Sequence, residues 1–246
     1  MKITRTLLAA AALFTIAGPA NAGLVTVLGG QAVTDTDLNI TWVANANLAA
    51  TNTFGLATFV NLGADAYGYE SKIFPNGAMT WGGAQKWIGA MNAANYLGYS
   101  DWRLPTTIDT GAPGIQVSKN GTDGGYNNPA TSELSHLYYS ELGNKGIFST
   151  AGAFQPDYGL SNKGPFTNFQ ENGYWSGTEY APDAQNAWFF APRFGSQDIS
   201  SKTNTMYALA VRTGNVAAPI PEPETYALLL AGLGLMGGIA RRRARS

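Results

Sequence analysis

The chain has 246 residues and no cysteine, and its formal net charge of −1 hides an uneven distribution. Residues 23–220 carry 9 Lys and Arg against 14 Asp and Glu, because six of the fifteen basic residues sit at the two ends. An acidic body excludes a protein that binds nucleic acid through its phosphates, and the lack of cysteine excludes disulfides, thiolate metal sites and Cys nucleophiles.

The N-terminus has three parts in order. Lys2 and Arg5 are basic, residues 7–17 are apolar but too few to span a bilayer, and Ala20-Asn21-Ala22 offers small residues at a cleavage site. This pattern predicts a signal peptide over residues 1–22, removed by signal peptidase so that the mature protein starts at Gly23. The body follows as residues 23–219. Short β-type runs at 24–28 and 33–43 flank a turn at Asp35-Thr36-Asp37-Leu38-Asn39. Residues 44–78 show no sustained period and read as loop. Thr80 is then a plausible N-cap for a helix whose apolar face is Trp81, Ala84, Trp87, Ile88 and Met91.

After Gly98 comes Asp101-Trp102-Arg103-Leu104-Pro105-Thr106, with Leu104 held extended by the proline that follows it. Residues 107–131 are rich in Gly, Asp, Asn and Pro and read as a long surface loop. Ser132 caps a second predicted helix with Leu134, Leu137, Tyr138 and Leu142 on its face, and Gly143 is its stop. Residues 144–173 again read as loop. Three β runs at 174–178, 187–194 and 207–212 complete the body, the last with Tyr207, Leu209 and Val211 alternating with Ala208, Ala210 and Arg212 as if it had two distinct faces.

The C-terminal segment, residues 220–246, reads Pro221-Glu222-Pro223, an apolar run of about fifteen residues over 226–240 near the lower limit for a transmembrane helix, and then Arg241-Arg242-Arg243-Ala244-Arg245. This order closely resembles the PEP-CTERM sorting signal. The resemblance implies transient anchoring in the inner membrane, cleavage by an exosortase near Pro221, Glu222 and Pro223, and delivery to the surface or extracellular matrix of a Gram-negative, exopolysaccharide-producing cell, a biofilm setting.

The body resembles the Lcl C-terminal domain family through Trp81, Trp87-Ile88, Asp101-Trp102-Arg103-Leu104-Pro105-Thr106, Glu133-Leu134, Tyr174-Trp175-Ser176-Gly177-Thr178-Glu179, Ala187-Trp188 and Val211-Arg212. The match covers most of residues 38–214. It implies an α+β, C-type lectin-like, loop-rich fold with two short helices packed on small antiparallel sheets. It also places Arg103 and Glu133 at the heart of that fold, where a largely buried Arg needs a carboxylate. The insertion at 107–131 separates Thr106 from Glu133, which simpler members keep close together.

Catalytic candidates are few. One histidine and no cysteine leave a zinc site or a Ser-His-Asp triad hard to build, and His136 reads as a boundary residue beside an apolar stripe. Gln155-Pro156-Asp157 spells a tripeptide that binds calcium and galactose in some C-type lectins, without the Trp-Asn-Asp partner those proteins need. No spacing selects a glycosidase pair among Glu133, Glu141, Asp157, Glu179 and Asp183. The expectation is therefore a protein without catalytic residues, metal or cofactor, binding an extracellular polysaccharide or other surface polymer. A hydrolase acting on exopolysaccharide is the alternative. The ligand surface is expected on loops, at Tyr126, Asp157, Tyr158 and Asn162, with Trp175 and Trp188 the two tryptophans most open to sugar stacking. The other tryptophans read as core.

Overall fold

The computed structural model describes residues 23–111 and 128–216. The signal segment 1–22, the sorting segment 220–246 with its apolar run, and Tyr126 lie outside those residues. Among the described residues no helix is long and apolar enough to cross a membrane.

The architecture is α+β, with two small antiparallel sheets and two short helices. Strands β1 (Leu24–Val27), β2 (Ala32–Asp35) and β3 (Ile40–Val43) form a meander. The tight β2–β3 turn is closed by Asp35, whose Oδ1 accepts from the amides of Asp37 and Leu38 at 3.1 and 3.0 Å. The last strand among the described residues, β7 (Val211–Thr213), completes this sheet beside β3, so the order is β1-β2-β3-β7. The second sheet is the consecutive set β4 (Tyr174–Glu179), β5 (Asn186–Ala191) and β6 (Ser196–Ser201).

Helix α1 (Trp81–Ala93) starts where its sequence signals it, with Thr80 Oγ1 accepting from the Gly83 amide. Its first turn is glycine for a packing reason: a Cβ on Gly83 would lie 2.2 Å from the Lys72 carbonyl oxygen. The second helix, α2 (Glu133–His136), is capped by the Ser132 hydroxyl and runs on as a wider π-type turn over Leu137–Glu141. Each helix serves its own core. Trp81, Trp87, Ile88 and Met91 of α1 pack with Trp102, Leu104 and Trp175. Leu134, Leu137, Tyr138 and Leu142 pack with Trp42, Phe166, Tyr174 and Phe190.

The stretch leading into β7 runs between the two cores. Ala208, Leu209, Ala210 and Val211 are all buried. The alternation expected of 207–212 is present, with a core on each side: Tyr207, Leu209 and Val211 pack into the α2 core, and Ala208 and Ala210 into the α1 core. Val211 pairs with Trp42 on one side and exchanges two backbone hydrogen bonds with Arg103 on the other, at 2.8 and 2.9 Å. β6 was not expected, because Ser-Gln-Asp-Ile-Ser-Ser has no apolar alternation to announce it. It forms because its backbone completes a hairpin with β5 in full register from Asn186–Ser201 to Ala191–Ser196.

Arg103 also closes the gap to α2. Its two terminal nitrogens each donate at 2.7 Å to the two carboxylate oxygens of Glu133, and Glu133 accepts in addition from the Thr106 amide at 2.8 Å. The expected Arg103–Glu133 pair is present and half-buried, with side-chain exposures of 33% and 15%. The 107–131 segment thus leaves and re-enters the fold at one fork–fork pair, with Ile108 bonding back to Thr131. Arg103→Ala strands the Glu133 carboxylate and should lower the unfolding free energy by about 2–3 kcal/mol, less than for a fully buried pair because water screens part of it. A urea midpoint equal to that of the wild type would show that the pair contributes nothing.

Candidate functional site

The 144–161 segment is not a free loop. Asn144 anchors its base: its side chain donates to the Asn162 carbonyl at 2.8 Å and accepts from the Asn162 amide and the Ser161 hydroxyl. The strand-like bridges Lys145–Gly159 and Phe148–Phe154 then fold the segment into a tongue. The Ile147 amide donates to the Phe194 carbonyl at 2.9 Å, and the Tyr139 hydroxyl donates to the Gly195 carbonyl, so the tongue and α2 both grip the β5–β6 turn. Gly195 makes that grip possible: its φ is +67°, and a Cβ there would lie 2.6 Å from the Tyr139 hydroxyl.

The tongue and the turn together expose an aromatic surface. Phe154 is 60% exposed and Phe194 38%. Between them stands Tyr158, nearly parallel to Phe194 (18°, centroids 6.4 Å apart) and edge-on to Phe154 at 5.7 Å. The Arg193 guanidinium lies 5.5 Å from the centre of the Phe194 ring. Beside these rings is a groove of about 380 Å³ lined by Pro156, Tyr158, Gly159, Leu160, Ser161, Glu171 and Arg193. It combines ring faces, a hydroxyl, a carboxylate and a guanidinium, which is the mixture a sugar hydroxyl face and its apolar reverse require.

The structure sorts the expected site residues. Tyr158 lies in this surface. Asp157 sits next to it and forms an ion pair with Lys145, which holds its carboxyl below the usual range. Gln155 donates to the Gly146 carbonyl. The Gln-Pro-Asp tripeptide therefore spends its polar ends inside the tongue. Asn162 is structural: its side chain donates to the Leu142 carbonyl at 2.7 Å and accepts from the Gly164 amide. Trp175 and Trp188 are corrected. They are 0% and 1% exposed, so neither offers a ring to a ligand. The Trp175 indole donates to the Met79 carbonyl and that of Trp188 to Asp109 Oδ2, both at 2.9 Å. The other four tryptophans are buried as expected. Phe154, Arg193 and Phe194 were not anticipated. Their signal was available as two aromatic residues in turns, where no core face needs them.

A second group of chemically notable side chains lies away from this surface. Asp35, His136 and Glu141 bring one donor atom each within 4.8 Å of one another, a spacing that could hold a metal ion. His136 Nε2 is 3.1 Å from Glu141 Oε1 and 3.6 Å from Asp35 Oδ2. His136 is a boundary residue by exposure, at 15%, as expected, but it faces two buried carboxylates that its sequence position did not announce. Burial pushes both carboxyls above their usual range, and His136 opposes that shift in each.

Residues 219–244 match the PEP-CTERM protein-sorting motif, which includes Pro221, Glu222 and Pro223 outside the described residues. No curated protein matches the chain. The motif marks an exported surface protein, attached transiently to the membrane before exosortase processing.

The Trp188–Asp109 contact carries a pH signature. Burial raises the Asp109 carboxyl, but donors from Trp188, Ala181 and Gly111 outweigh it and hold the group below its usual range. Its stabilisation is therefore present above the unfolded value near 4 and disappears as pH falls through the lower folded value. Asp109→Asn should cost about 1 kcal/mol at neutral pH. The gap to wild type in urea unfolding should close as pH drops below about 4, and a gap independent of pH would contradict this account.

Proposed function

We propose that the mature protein is a non-catalytic binding module of the cell surface or extracellular matrix, released from its signal peptide before Gly23, which holds extracellular polysaccharide through the tongue and the β5–β6 turn. The observation that carries the reading is the exposed Phe154–Tyr158–Phe194 surface beside a groove with Arg193 and Glu171. Exposed aromatic clusters of this kind are costly in solution and mark contact surfaces. A sugar ring stacks its apolar face on them while its hydroxyls meet the neighbouring charged and amide groups. The exported, exosortase-processed character supports the ligand class, because extracellular polymer is what such a protein meets. The likeness of the body to the lectin-like Lcl C-terminal domain agrees with a binding role without naming a ligand, and it is the resemblance of the C-terminus to the sorting signal that implies Gram-negative exopolysaccharide.

A glycosidase would need two carboxylates facing one cleft with room for a sugar between them. Asp35 and Glu141, the closely spaced pair, have side chains 0% and 1% exposed and leave no such room. The hydrolase alternative has no comparable support.

Two measurements test the proposal. Intact-mass analysis of protein released from the surface should give a species that starts at Gly23 and lacks Arg241–Arg245. Recovery of a released species with the arginines attached would contradict cleavage at the sorting motif. Replacing Phe154, Tyr158 or Phe194 by Ala should weaken retention on the producer's own exopolysaccharide about three- to tenfold per ring, with unfolding midpoints nearly unchanged. Retention that survives the triple replacement would place binding elsewhere.

A further inference from the structure

Gly23 opens β1 against the acidic end of β2. Its carbonyl accepts from the Thr36 amide at 2.8 Å, and Leu24 pairs with Asp35. Its φ is +88°. A substituent at its Cβ position would lie 3.0 Å from Asp37 Oδ1 and 3.1 Å from Glu141 Oε1. For a carbon atom that position is crowded. For an ammonium nitrogen it is close to the 2.7–2.9 Å typical of a charged hydrogen bond.

The geometry of a tetrahedral carbon makes the exchange simple. While residue 22 is attached, the Gly23 nitrogen belongs to a peptide group and follows the chain. Once the bond to residue 22 is cut, a turn of about 120° around the Cα–C bond carries the nitrogen into the Cβ position, and the Gly23 carbonyl with its bond to Thr36 stays in place. Only glycine leaves that position empty.

Among the described residues no Lys or Arg pairs with the acids around it. Asp35 and Glu141 face one imidazole, and Asp37 lies beside both carboxylates. Two of them, Asp35 and Glu141, are buried, and their Oδ2 and Oε2 atoms have no hydrogen-bond partner. Buried carboxylate oxygens without a donor are strongly unfavourable. The atoms next to the Gly23 Cβ position are Asp37 Oδ1 and Glu141 Oε1, so a cation there would bond those two and offset the charge of the orphaned oxygens without bonding them directly. The π-type turn over Leu137–Glu141 is what swings Glu141 inward to this point. Glu141 Oε1 also lies 3.1 Å from His136 Nε2, so the imidazole is the neighbour that Glu141 already has at this point.

We infer that this pocket is a binding site for the chain's own new α-ammonium group, formed when the signal peptide is removed, with Asp37 and Glu141 as its direct acceptors and Asp35 and His136 setting the surrounding charge. The inference rests on the reading that signal peptidase cuts between Ala22 and Gly23. Cleavage hydrolyses the Ala22–Gly23 amide: water gives its oxygen to the Ala22 acyl carbon, which leaves as carboxylate, and both of its protons to the Gly23 nitrogen, which becomes the ammonium that predominates at neutral pH. Removal of the export signal is then coupled to completion of the fold. The unprocessed precursor keeps a buried acidic pocket without its cation, and the mature protein closes it.

The test uses the exported, processed protein recovered from the cell surface. Reductive dimethylation near neutral pH, read by mass spectrometry on the N-terminal peptide, compares the Gly23 amine in folded and urea-unfolded protein. Docking predicts a start at Gly23 and labelling about tenfold slower in the folded state, because the amine is held protonated by carboxylates. Asp37→Asn, at an exposed position, and Glu141→Gln should each restore fast labelling. A protein that starts at Gly23 yet labels equally fast folded and unfolded overturns the docking and leaves the cleavage reading intact. Protection unchanged in both variants also overturns it. A start at another residue overturns the cleavage reading and the inference with it. A parallel melt of EDTA-treated protein with added zinc or calcium chloride should show no shift. A rise of more than about 5 °C together with a freely labelled amine would assign the pocket to a metal ion.

Discussion

Arg103 is fixed at both ends, and the rest of the structure hangs from it. Its backbone exchanges two hydrogen bonds with Val211, the residue through which the end of the chain enters the first sheet. Its guanidinium grips Glu133 in fork–fork geometry, and Glu133 in turn holds the Thr106 amide. One residue thus joins the closing strand, the Leu104-Pro105 segment and α2, the element that leads the second core. The pair opposes charges at contact distance with both oxygens and both nitrogens satisfied, the arrangement in which a half-buried ion pair offsets its desolvation.

With no cysteine to staple it, the body is tied by indoles. Trp81 donates to the Ser176 carbonyl across 95 residues of sequence, Trp175 to Met79 across 96, and Trp87 to Asn52 across 35. The bonds of Trp81 and Trp87 tie α1 to β4 and to the segment at Asn52, and that of Trp175 ties β4 to the segment that precedes α1. The fully buried Lys202 extends the theme. Its ammonium bonds Glu179 at 2.9 Å and lies 3.7 Å from the centre of the Tyr67 ring and 4.4 Å from that of Trp81, so ring faces replace the water it lost. Loops occupy much of the chain here, yet packing holds them as firmly as strands.

The same logic separates the two functional regions. The tongue over 144–161 is rigid at its base and aromatic at its tip, a form suited to meeting a polymer from outside. The acidic pocket at Gly23 is proposed to serve the chain's own processing. They share α2: Tyr139 supports the β5–β6 turn under the tongue, while Glu141, two residues on, reaches the N-terminal strand. Maturation at one end of the chain is therefore mechanically close to the surface proposed to bind ligand.

The sequence by itself determined the parts whose cause is local. The C-terminal sorting motif is compositional and reads in order as tripeptide, apolar run and arginines. Both helices start at hydroxyl caps and show their apolar residues at helical spacing, and the Asp35–Asn39 turn is built from residues that fold back on their own amides. The role of Arg103 toward Glu133 was legible through motif resemblance. What only the tertiary structure decided depends on partners far along the chain. Strand β6 is polar and owes its existence to β5. Residues 208–211 alternate between two faces as their sequence indicates, and only the fold shows that a core covers each face so that neither meets solvent. Trp175 and Trp188 have the same local look as exposed aromatics, and only the packing of remote segments shows that they are interior. Gly23, Asp35, Asp37, His136 and Glu141 carry no common motif. They meet because strand pairing and a π-type turn in α2 bring five separate positions to one point, and sequence spacing cannot encode a meeting that the folded backbone alone creates.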